Sequence, residues 1–494
     1  MVLLQEIAGL PEAQLRERLA ALQEAEFLYE TNLFPDTEYT FKHALTHDVA
    51  YNGILQERRK MLHVRILESM GELYADRIVE QLEQLAHHAL RGEVWDKALS
   101  YLRQAGEKAL SRSANRTAIA TFEQALAAAR RLQETREVVE QTIHVHLSSR
   151  LALTTMSELA RSLQHSQEAA RLAEIIDDQR RLAWALAAMT VSCAGVGDLA
   201  KGTLCAERSV VIASSLDDPI ARIAAEHYLG WVSGHSGQFH KAIGLLTRCA
   251  AQLRPWLDAE GEVRGAASWP GFSGAGFFYV NALAWATMSH AELGQFGSAI
   301  ERGQEAVRAG ENMGLTYVFG MAKHRLGYAY LLRGDIEQGL PLLEQCGELA
   351  QRSDLPVLVT HLGACLGQAY CLIGRAEEAV VFIEKAHAVE EAGGPMLFVS
   401  VNLATLAMAY SLLGRSSEAR KSAERALDCP RRFGQRGTEA WALLTLGDVL
   451  AVCEQGAYSR AADAYAAALT LGTELQMRPL IARCHLSARA FIAA

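Results

Sequence analysis

A block of the form Gly-x-x-x-x-Ala-x-x-x-(Leu/Ala)-x-x-(Ala/Cys) recurs along most of this chain, and a small residue stands seven positions before its glycine. The glycines that anchor the block are Gly197, Gly237, Gly294, Gly334, Gly374 and Gly414. Their spacings are 40, 57, 40, 40 and 40 residues. Because a fixed period indicates one structural unit copied along the chain, the sequence predicts an array of helical repeats.

The most regular copies resemble the tetratricopeptide repeat. They read Leu326-Gly327-x-x-Tyr330, Leu366-Gly367-x-x-Tyr370 and Leu406-Ala407-x-x-Tyr410, each followed by an anchor glycine. In such a repeat the small residue lets the first helix of a pair lie close to the second, and the glycine ends the first helix in a left-handed turn. The usual period is about 34 residues, so a 40-residue step predicts helices nearly a turn longer. The resemblance implies an all-α, tetratricopeptide-type α-solenoid, a superhelix of antiparallel helix pairs.

The composition is that of packed helices. Half of the 494 residues are hydrophobic and only ten are proline. An array of repeats buries its apolar faces between neighbours, so a chain of this length needs no single large core. The net charge of −9 argues against nucleic acid as a partner, because neutralising phosphates requires a basic surface.

The cysteines and the amino terminus predict a cytoplasmic protein. The nine cysteines form no Cys-x-x-Cys, and several stand at repeat packing positions, as small buried side chains in a reducing compartment do. Met1 to Leu4 run directly into Gln5 and Glu6, without the basic segment of a signal peptide. The most apolar stretch, residues 182–197, is too short for a bilayer, so we expect no membrane partner.

The first 60 residues lack the repeat. A helix is predicted to begin at Leu10-Pro11-Glu12, because proline and acidic residues favour the first turn. The β-prone runs 26–29 and 39–41 flank a turn at 34–37, and a further helix is expected from His43 through Leu55 and beyond. This order of elements suggests a winged-helix remnant with a short β-hairpin.

Four segments follow from these patterns. We expect a winged-helix-like remnant at 1–60, N-terminal helical repeats at 61–180, regular repeats of about 40 residues at 181–475, and a C-terminal capping helix at 476–494. The single 57-residue step locates an insertion loop at 254–278. The loop carries Trp256 and Trp269, which a purely flexible linker would not need, so we expect it to pack against another part of the protein.

A stretch near the amino terminus resembles a family of large bacterial signal-transduction NTPases. It reads Tyr39-Thr-Phe-Lys-His-Ala-Leu-Thr-His-Asp-Val-Ala-Tyr51, followed by Leu55-Gln-Glu-Arg-Arg-Lys60 and His63. In that family it lies at the end of the nucleotide-binding region. Residues 84–126 and 477–486 resemble the repeats that follow, so the resemblance covers essentially the whole chain. Many such proteins place an adenylate or guanylate cyclase domain and an ATPase module before the repeats, which act as a sensor. An NTPase or cyclase domain is therefore a candidate partner.

The chain departs from that family pattern. It contains no Gly-x-x-x-x-Gly-Lys-Ser/Thr, so the phosphate-binding nest is missing, and it contains no cyclase segment. The resemblance therefore implies that the chain begins inside the winged-helix module and keeps the regulatory half. We expect no enzyme activity and no cofactor. Two alternatives stay open, namely an assembly scaffold and a truncated piece of an ATP-dependent cyclase or ATPase regulator.

Candidates for chemistry are weak. His43 and His47 have the i, i+4 spacing of metal ligands but no evident third ligand, so no metal site is predicted. Arg58-Arg59-Lys60 is typical of a solvated helix face. Gly271-x-x-Gly274-x-Gly276 follows no strand and lacks the lysine of a phosphate loop. No catalytic residues are proposed, because spatial proximity in a solenoid is expected only between adjacent repeats.

The inner face of the repeats is the strongest candidate for a binding site. In a tetratricopeptide array, certain positions of the first helix in each pair line the inner groove. Ten residues at these positions are candidates for binding a protein segment, a peptide or a small-molecule effector. They are His227, Trp231, His235, Asn281, Met288, Met321, His324, Tyr328, His361 and Gln368. The same positions also include Glu292, Trp441 and Asp448, whereas Lys323 and Arg325 fall at other positions, so a neutral or mixed partner is expected. The alternative interpretation is that these are ordinary half-exposed helix residues. A ligand pocket would be closed by the insertion loop, and a scaffold groove would stay open.

Overall fold

The structure is a computed structural model that describes residues 1–32, 38–257, 274–313, 316–453 and 458–493. The chain forms two compact units. Unit 1 consists of Met1–Arg112 and Thr117–Val145, and unit 2 consists of Ser113–Arg116 and His146–Ala494. The predicted limits of the sequence segments at residues 60, 180 and 475 stay predictions.

Unit 1 begins with helices and one hairpin. Its elements are α1 (Val2–Ala8), α2 (Glu12–Glu24), β1 (Leu28–Asn32), β2 (Glu38–Phe41), α3 (Ala44–Asn52), α4 (Gln56–Leu73), α5 (Leu82–Arg91), α6 (Trp95–Ser111), most of α7 (Asn115–Ala129) and the start of α8 (Arg136–Thr155). A 3-10 helix spans Ala75–Glu80. The two strands are antiparallel, with Glu30 opposite Tyr39. The hairpin is confirmed, its predicted turn at 34–37 lies outside the described residues, and the winged-helix assignment stays a prediction.

One helix boundary in unit 1 was predicted wrongly. The helix expected from His43 through Leu55 ends at Asn52, and α4 begins at Gln56. Gly53 follows the last helical residue, and Leu55 has the extended angles φ −56° and ψ 142°. Glycine loses more entropy in a helix than any other residue, which favours a break at this point.

Unit 2 is a series of antiparallel helix pairs. After the end of α8 come α9 (Leu159–Ile175), α10 (Gln179–Gly195), α11 (Leu199–Ser215), α12 (Pro219–His235), α13 (Phe239–Leu253), α14 (Ala275–Glu292), α15 (Phe296–Asn312), α16 (Thr316–Arg333), α17 (Ile336–Arg352), α18 (Pro356–Leu372), α19 (Ala376–Glu391), α20 (Val399–Leu412), α21 (Ser416–Arg425), α22 (Asp428–Phe433), α23 (Arg436–Cys453), α24 (Tyr458–Glu474) and α25 (Arg478–Ala493). Across the described ranges, no helix combines the length and apolarity needed to cross a membrane.

The turns within the pairs have the predicted left-handed glycines. All six anchors have positive φ, from 71° at Gly294 and Gly414 to 97° at Gly334. After Gly197, the Asp198 N–H donates to the Cys193 carbonyl at 2.8 Å, which is the six-to-one bond of a Schellman motif. Ser157 has φ 64° and the Glu158 N–H donates to the Leu153 carbonyl at 2.9 Å. The turn at Ser157 is therefore an equivalent one, and the glycine pattern missed it.

The small residue of each first helix has the predicted packing role. A Cβ on Gly327 would lie 2.8 Å from Leu343 Cγ, and one on Gly367 would lie 2.6 Å from Ile383 Cδ1. Either distance is shorter than real Cβ contacts, so a side chain at these positions of α16 and α18 would force the facing side chain to move.

The insertion after α13 is shorter than predicted. Arg254–Trp256 forms a 3-10 helix, and α14 begins at Ala275, so Gly276, Phe277 and Phe278 belong to a buried helix and not to a loop. Residues 258–273, including Trp269, lie outside the described residues.

Contacts in unit 2 also join repeats that are distant in sequence. The Met396 N–H donates to the Gly195 carbonyl at 2.8 Å, and Trp441 Nε1 donates to Glu292 Oε2 at 3.0 Å. The expectation that proximity is limited to adjacent repeats was therefore wrong. Each repeat of a solenoid adds a rotation, and accumulated rotation brings distant first helices together.

Candidate functional site

Two neighbouring cavities lie in unit 2, and the larger of the two has a volume of about 330 Å³. First helices of several pairs supply its walls, because α12, α14, α16, α18, α20 and α23 each contribute lining residues. Apolar side chains such as Leu397 and Val401 form much of the surface. The charged, polar and aromatic residues that line it include His235, Glu292, Arg325, Tyr328, His361, Gln368, Phe398, Trp441, Asp448 and Arg483.

A smaller cavity of about 70 Å³ lies next to the larger one. Its polar and aromatic lining includes Arg150, Thr154, His227, Tyr228, Trp231, Asn281, Trp285 and Tyr317. His361, Leu397 and Phe398 line both cavities. The rings of His361 and Phe398 lie 4.0 Å apart between centroids, so this contact forms part of the wall between the two spaces.

The structure brings eight of the ten sequence-predicted groove residues to these cavities. Five of them, His235, Met288, Tyr328, His361 and Gln368, line the larger cavity. His361 also lines the smaller cavity, together with His227, Trp231 and Asn281.

The other two predicted residues, Met321 and His324, line neither cavity. Both are buried, and His324 Nε2 lies 3.1 Å from Cys365 Sγ. At this level α16 and α18 approach closely, since a Cβ on Gly320 would lie 2.7 Å from Leu358 Cδ1. Close packing of α16 against α18 therefore fills the space in which a groove was predicted at these two residues.

Arg325 is a site residue that sequence reasoning missed. Its side chain lines the larger cavity although the residue is only 4% exposed. The guanidinium carbon lies 3.9 Å from the centroid of the Trp285 ring, an arrangement that attracts a cation to the π face. Burial lowers the pKa of Arg325 to about 10, so the side chain stays protonated at neutral pH. In the sequence Arg325 is one of two basic residues, with Lys323, that flank His324, so nothing distinguished it from an exposed charge.

Glu292 is a second buried ionisable group in the larger cavity. The Tyr328 hydroxyl donates to Oε1 at 2.5 Å, and Trp441 Nε1 donates to Oε2 at 3.0 Å. Burial raises the pKa of Glu292, whereas these two hydrogen bonds and the nearby Arg325 oppose that rise. Both carboxylate oxygens therefore already have partners from the protein.

Three histidines lie near Arg325, of which His324 and His361 are buried and His235 is half-buried. Burial lowers the pKa values of His235, His324 and His361, and the charge of Arg325 lowers them further. They are therefore neutral at pH 7, and Arg325 is the positive charge in this part of the cavity. His235 Nε2 and His324 Nδ1 have no hydrogen-bond partner among the described residues.

The described residues include no group of three or more His, Cys, Asp or Glu placed to hold a metal ion. In unit 1, His47 Nδ1 lies 3.1 Å from Asp48 Oδ1, and its ring stacks on Tyr51.

No protein-family model and no curated protein sequence matches this chain. Its structure is similar to that of a Rap protein complexed with competence and sporulation factor, with a TM-score of 0.56 at 11% identity, covering 76% of this chain and 98% of that chain. The chain has the tetratricopeptide-type α-solenoid fold.

Two further solved structures resemble it less. The Rap conjugation gene regulator of plasmid pLS20, in complex with the Phr* peptide, has a TM-score of 0.47 at 10% identity and covers 76% of this chain and 96% of that chain. Aspartyl phosphate phosphatase F from Bacillus subtilis has a TM-score of 0.44 at 9% identity and covers 77% of this chain and 95% of that chain.

Proposed function

We propose that this chain is a non-catalytic regulatory module that binds a peptide segment in the larger cavity of unit 2. The cavity itself carries the proposal, because about 330 Å³ of space with mostly apolar walls and a few placed polar groups is what a ligand site requires. Trp441, Tyr328 and Phe398 supply the rigid aromatic surface on which binding energy concentrates. The Rap protein of similar fold is complexed with competence and sporulation factor, which supports a ligand-binding role for this fold.

The regulatory output is part of the same proposal. The resemblance of residues 39–63 to signal-transduction NTPases suggests a sensor arm whose partner is an NTPase or cyclase domain. A sensor of this kind would pass ligand binding on through the helix pairs, which share packed faces with their neighbours.

The test begins with affinity selection on the full chain. A random pentapeptide library is incubated with the purified protein, retained peptides are identified by mass spectrometry, and the affinity of a synthetic copy is measured by calorimetry. Ala364 lines the cavity, so Ala364→Trp should fill it and weaken binding by at least about tenfold.

Ala388→Trp is the matched control, because this alanine is exposed on α19 and lines neither cavity. It should bind the peptide like the unchanged protein. If the library yields no retained peptide, or if Ala364→Trp binds as tightly as the control, the proposed function is wrong.

A further inference from the structure

Arg325 is a buried cation whose hydrogen bonds are incomplete. Neither Nε nor Nη2 has a hydrogen-bond partner among the described residues. These two nitrogens carry N–H groups on the same edge of the planar guanidinium, the edge that binds a carboxylate through two parallel hydrogen bonds. A buried charge without such partners is costly to the fold, so its presence in a cavity wall calls for an explanation.

The neighbouring residues do not satisfy this edge. Trp285 meets the face of the guanidinium with its ring and offers no acceptor there. Glu292 lines the same cavity, and its two oxygens accept from Tyr328 and Trp441. The surrounding histidines are neutral. Tyr328 and Tyr317 raise the pKa of Arg325, but neither hydroxyl forms a hydrogen bond with Nε or Nη2.

The remaining charges of the cavity belong to other elements. Asp448 on α23 accepts a hydrogen bond from the Tyr465 hydroxyl at 2.9 Å, and Arg483 on α25 also lines the cavity. Arg325 is therefore a buried, protonated side chain of the cavity wall with one edge that lacks a partner among the described residues.

We propose that Arg325 binds a carboxylate of the ligand, either the C-terminal carboxylate of a peptide or an Asp or Glu side chain. This inference rests on the proposed function and adds the chemical class of the ligand. It also replaces the neutral or mixed partner that groove positions alone predicted. The planar guanidinium matches a planar carboxylate in two hydrogen bonds, and the aromatic and apolar walls would hold the rest of the peptide.

The experiment compares ligands before it compares variants. Three random pentapeptide libraries are incubated with the full chain, namely one with free C-terminal carboxylates, one amidated, and one amidated and lacking Asp and Glu. Retained peptides are identified by mass spectrometry, and matched acid and amide peptides are then measured by calorimetry. We expect the peptide that keeps its carboxylate to bind at least about tenfold more tightly than its neutral counterpart. Dependence on the terminus identifies a C-terminal carboxylate, and dependence on Asp or Glu identifies a side chain.

Variants then assign the carboxylate to Arg325. Arg325→Met should bind the charged and neutral peptides with equal affinity, and Arg325→Lys should retain only part of the preference, since lysine keeps the charge but loses the two-pronged geometry. Arg308→Met removes an exposed arginine of α15 and should keep the full preference. Without ligand, a thermal melt of Arg325→Met checks that the variant folds, because the change removes both an incompletely hydrogen-bonded charge and the stacking of the guanidinium on Trp285.

The outcomes separate the two proposals. Equal binding of charged and neutral peptides to the unchanged protein would overturn the carboxylate inference and leave the proposed function standing. Retention of no peptide from any library would overturn both. If Arg325→Met folds and still binds the charged peptide more tightly than the neutral one, another residue holds the carboxylate and the assignment to Arg325 is wrong.

Discussion

His227 illustrates how burial sets the charge of a side chain in this protein. It is 2% exposed, and its ring meets the edges of Tyr228 and Phe278 at 5.2 and 5.1 Å. Burial lowers the pKa of His227 to about 3, whereas an unfolded histidine has a pKa of about 6.5. Below pH 6.5 the unfolded chain therefore binds a proton that the folded chain excludes, so stability falls as the pH falls.

Replacing this histidine should make the protein less sensitive to acid. We expect His227→Phe to remove about 1.4 kcal/mol of the stability difference between pH 7.5 and pH 5.5, because phenylalanine packs in the same aromatic surroundings and does not titrate. Urea unfolding followed by circular dichroism at the two pH values measures this. His485→Phe, at an exposed position of α25, should leave the difference unchanged. Identical pH dependence of His227→Phe and the unchanged protein would contradict the burial argument.

At the scale of the element, Ser157 occupies a turn that suits glycine. Its φ of 64° is left-handed, which costs a residue with a side chain about 1–2 kcal/mol, and glycine's greater freedom in the unfolded chain offsets part of any gain. Ser157→Gly should therefore stabilise the protein by up to about 1 kcal/mol. The reverse change, Gly374→Ser, is the matched control. Its φ is 81° and an added Cβ meets no atom within 4 Å, so it should lose a similar amount. If both changes shift the thermal midpoint in the same direction, the turns are not equivalent.

The packing of each helix pair gives a prediction at the same scale. Gly367→Leu places a side chain where a Cβ would already lie 2.6 Å from Ile383 Cδ1, so overpacking should cost about 1–3 kcal/mol or more. Hydrogen exchange should rise most in α18 and α19, which these residues join.

A matched glycine of another helix separates overpacking from helix propensity. Gly244 is exposed on α13, and a Cβ there meets nothing within 4 Å. Gly244→Leu should therefore be neutral or stabilising by up to about 1 kcal/mol, because leucine favours a helix more than glycine does. A loss of stability in both variants would point to a cause other than close packing.

At the scale of the whole molecule, unit 2 is more than a chain of nearest neighbours. Trp441 on α23 donates to Glu292 on α14, although the two residues are 149 positions apart. His240 Nε2 likewise lies 3.1 Å from Gln476 Oε1. We expect such contacts to couple the opening of one helix pair to that of a distant one, which a purely local array would not do.

Trp441→Phe tests this coupling. It removes the indole N–H and leaves Glu292 Oε2 without that donor, which should cost about 1–3 kcal/mol. Hydrogen exchange should increase in both α23 and α14. Tyr410→Phe is the comparison, because it removes a 2.9 Å bond to Glu384 on the adjacent helix α19, and its effect should stay in α19 and α20. An increase confined to α23 and its sequence neighbours would show that the distant contact does not couple the two pairs.

The sequence by itself determined the features that depend on short spacings. A glycine every 40 residues set the left-handed turns, the small residue seven positions earlier set the close helix contact, and apolar periodicity set the helices. These features are local, since each depends on residues within one repeat. Of the ten residues selected from the groove positions of the first helices, eight line the cavities. The turn at Ser157 was not predicted, because its left-handed residue is a serine and the sequence pattern relied on glycine.

Only the tertiary structure decided which of these residues meet. The Trp441 bond to Glu292, the burial of Met321 and His324, and the unpaired edge of Arg325 all depend on how far each pair rotates against the next. A small rotation per repeat is fixed by many side-chain contacts and accumulates over several repeats, so its result cannot be read from spacing within one of them. The local sequence therefore determines the turns and the helix pairs. The charge of the cavity depends on residues that only the accumulated rotation brings together.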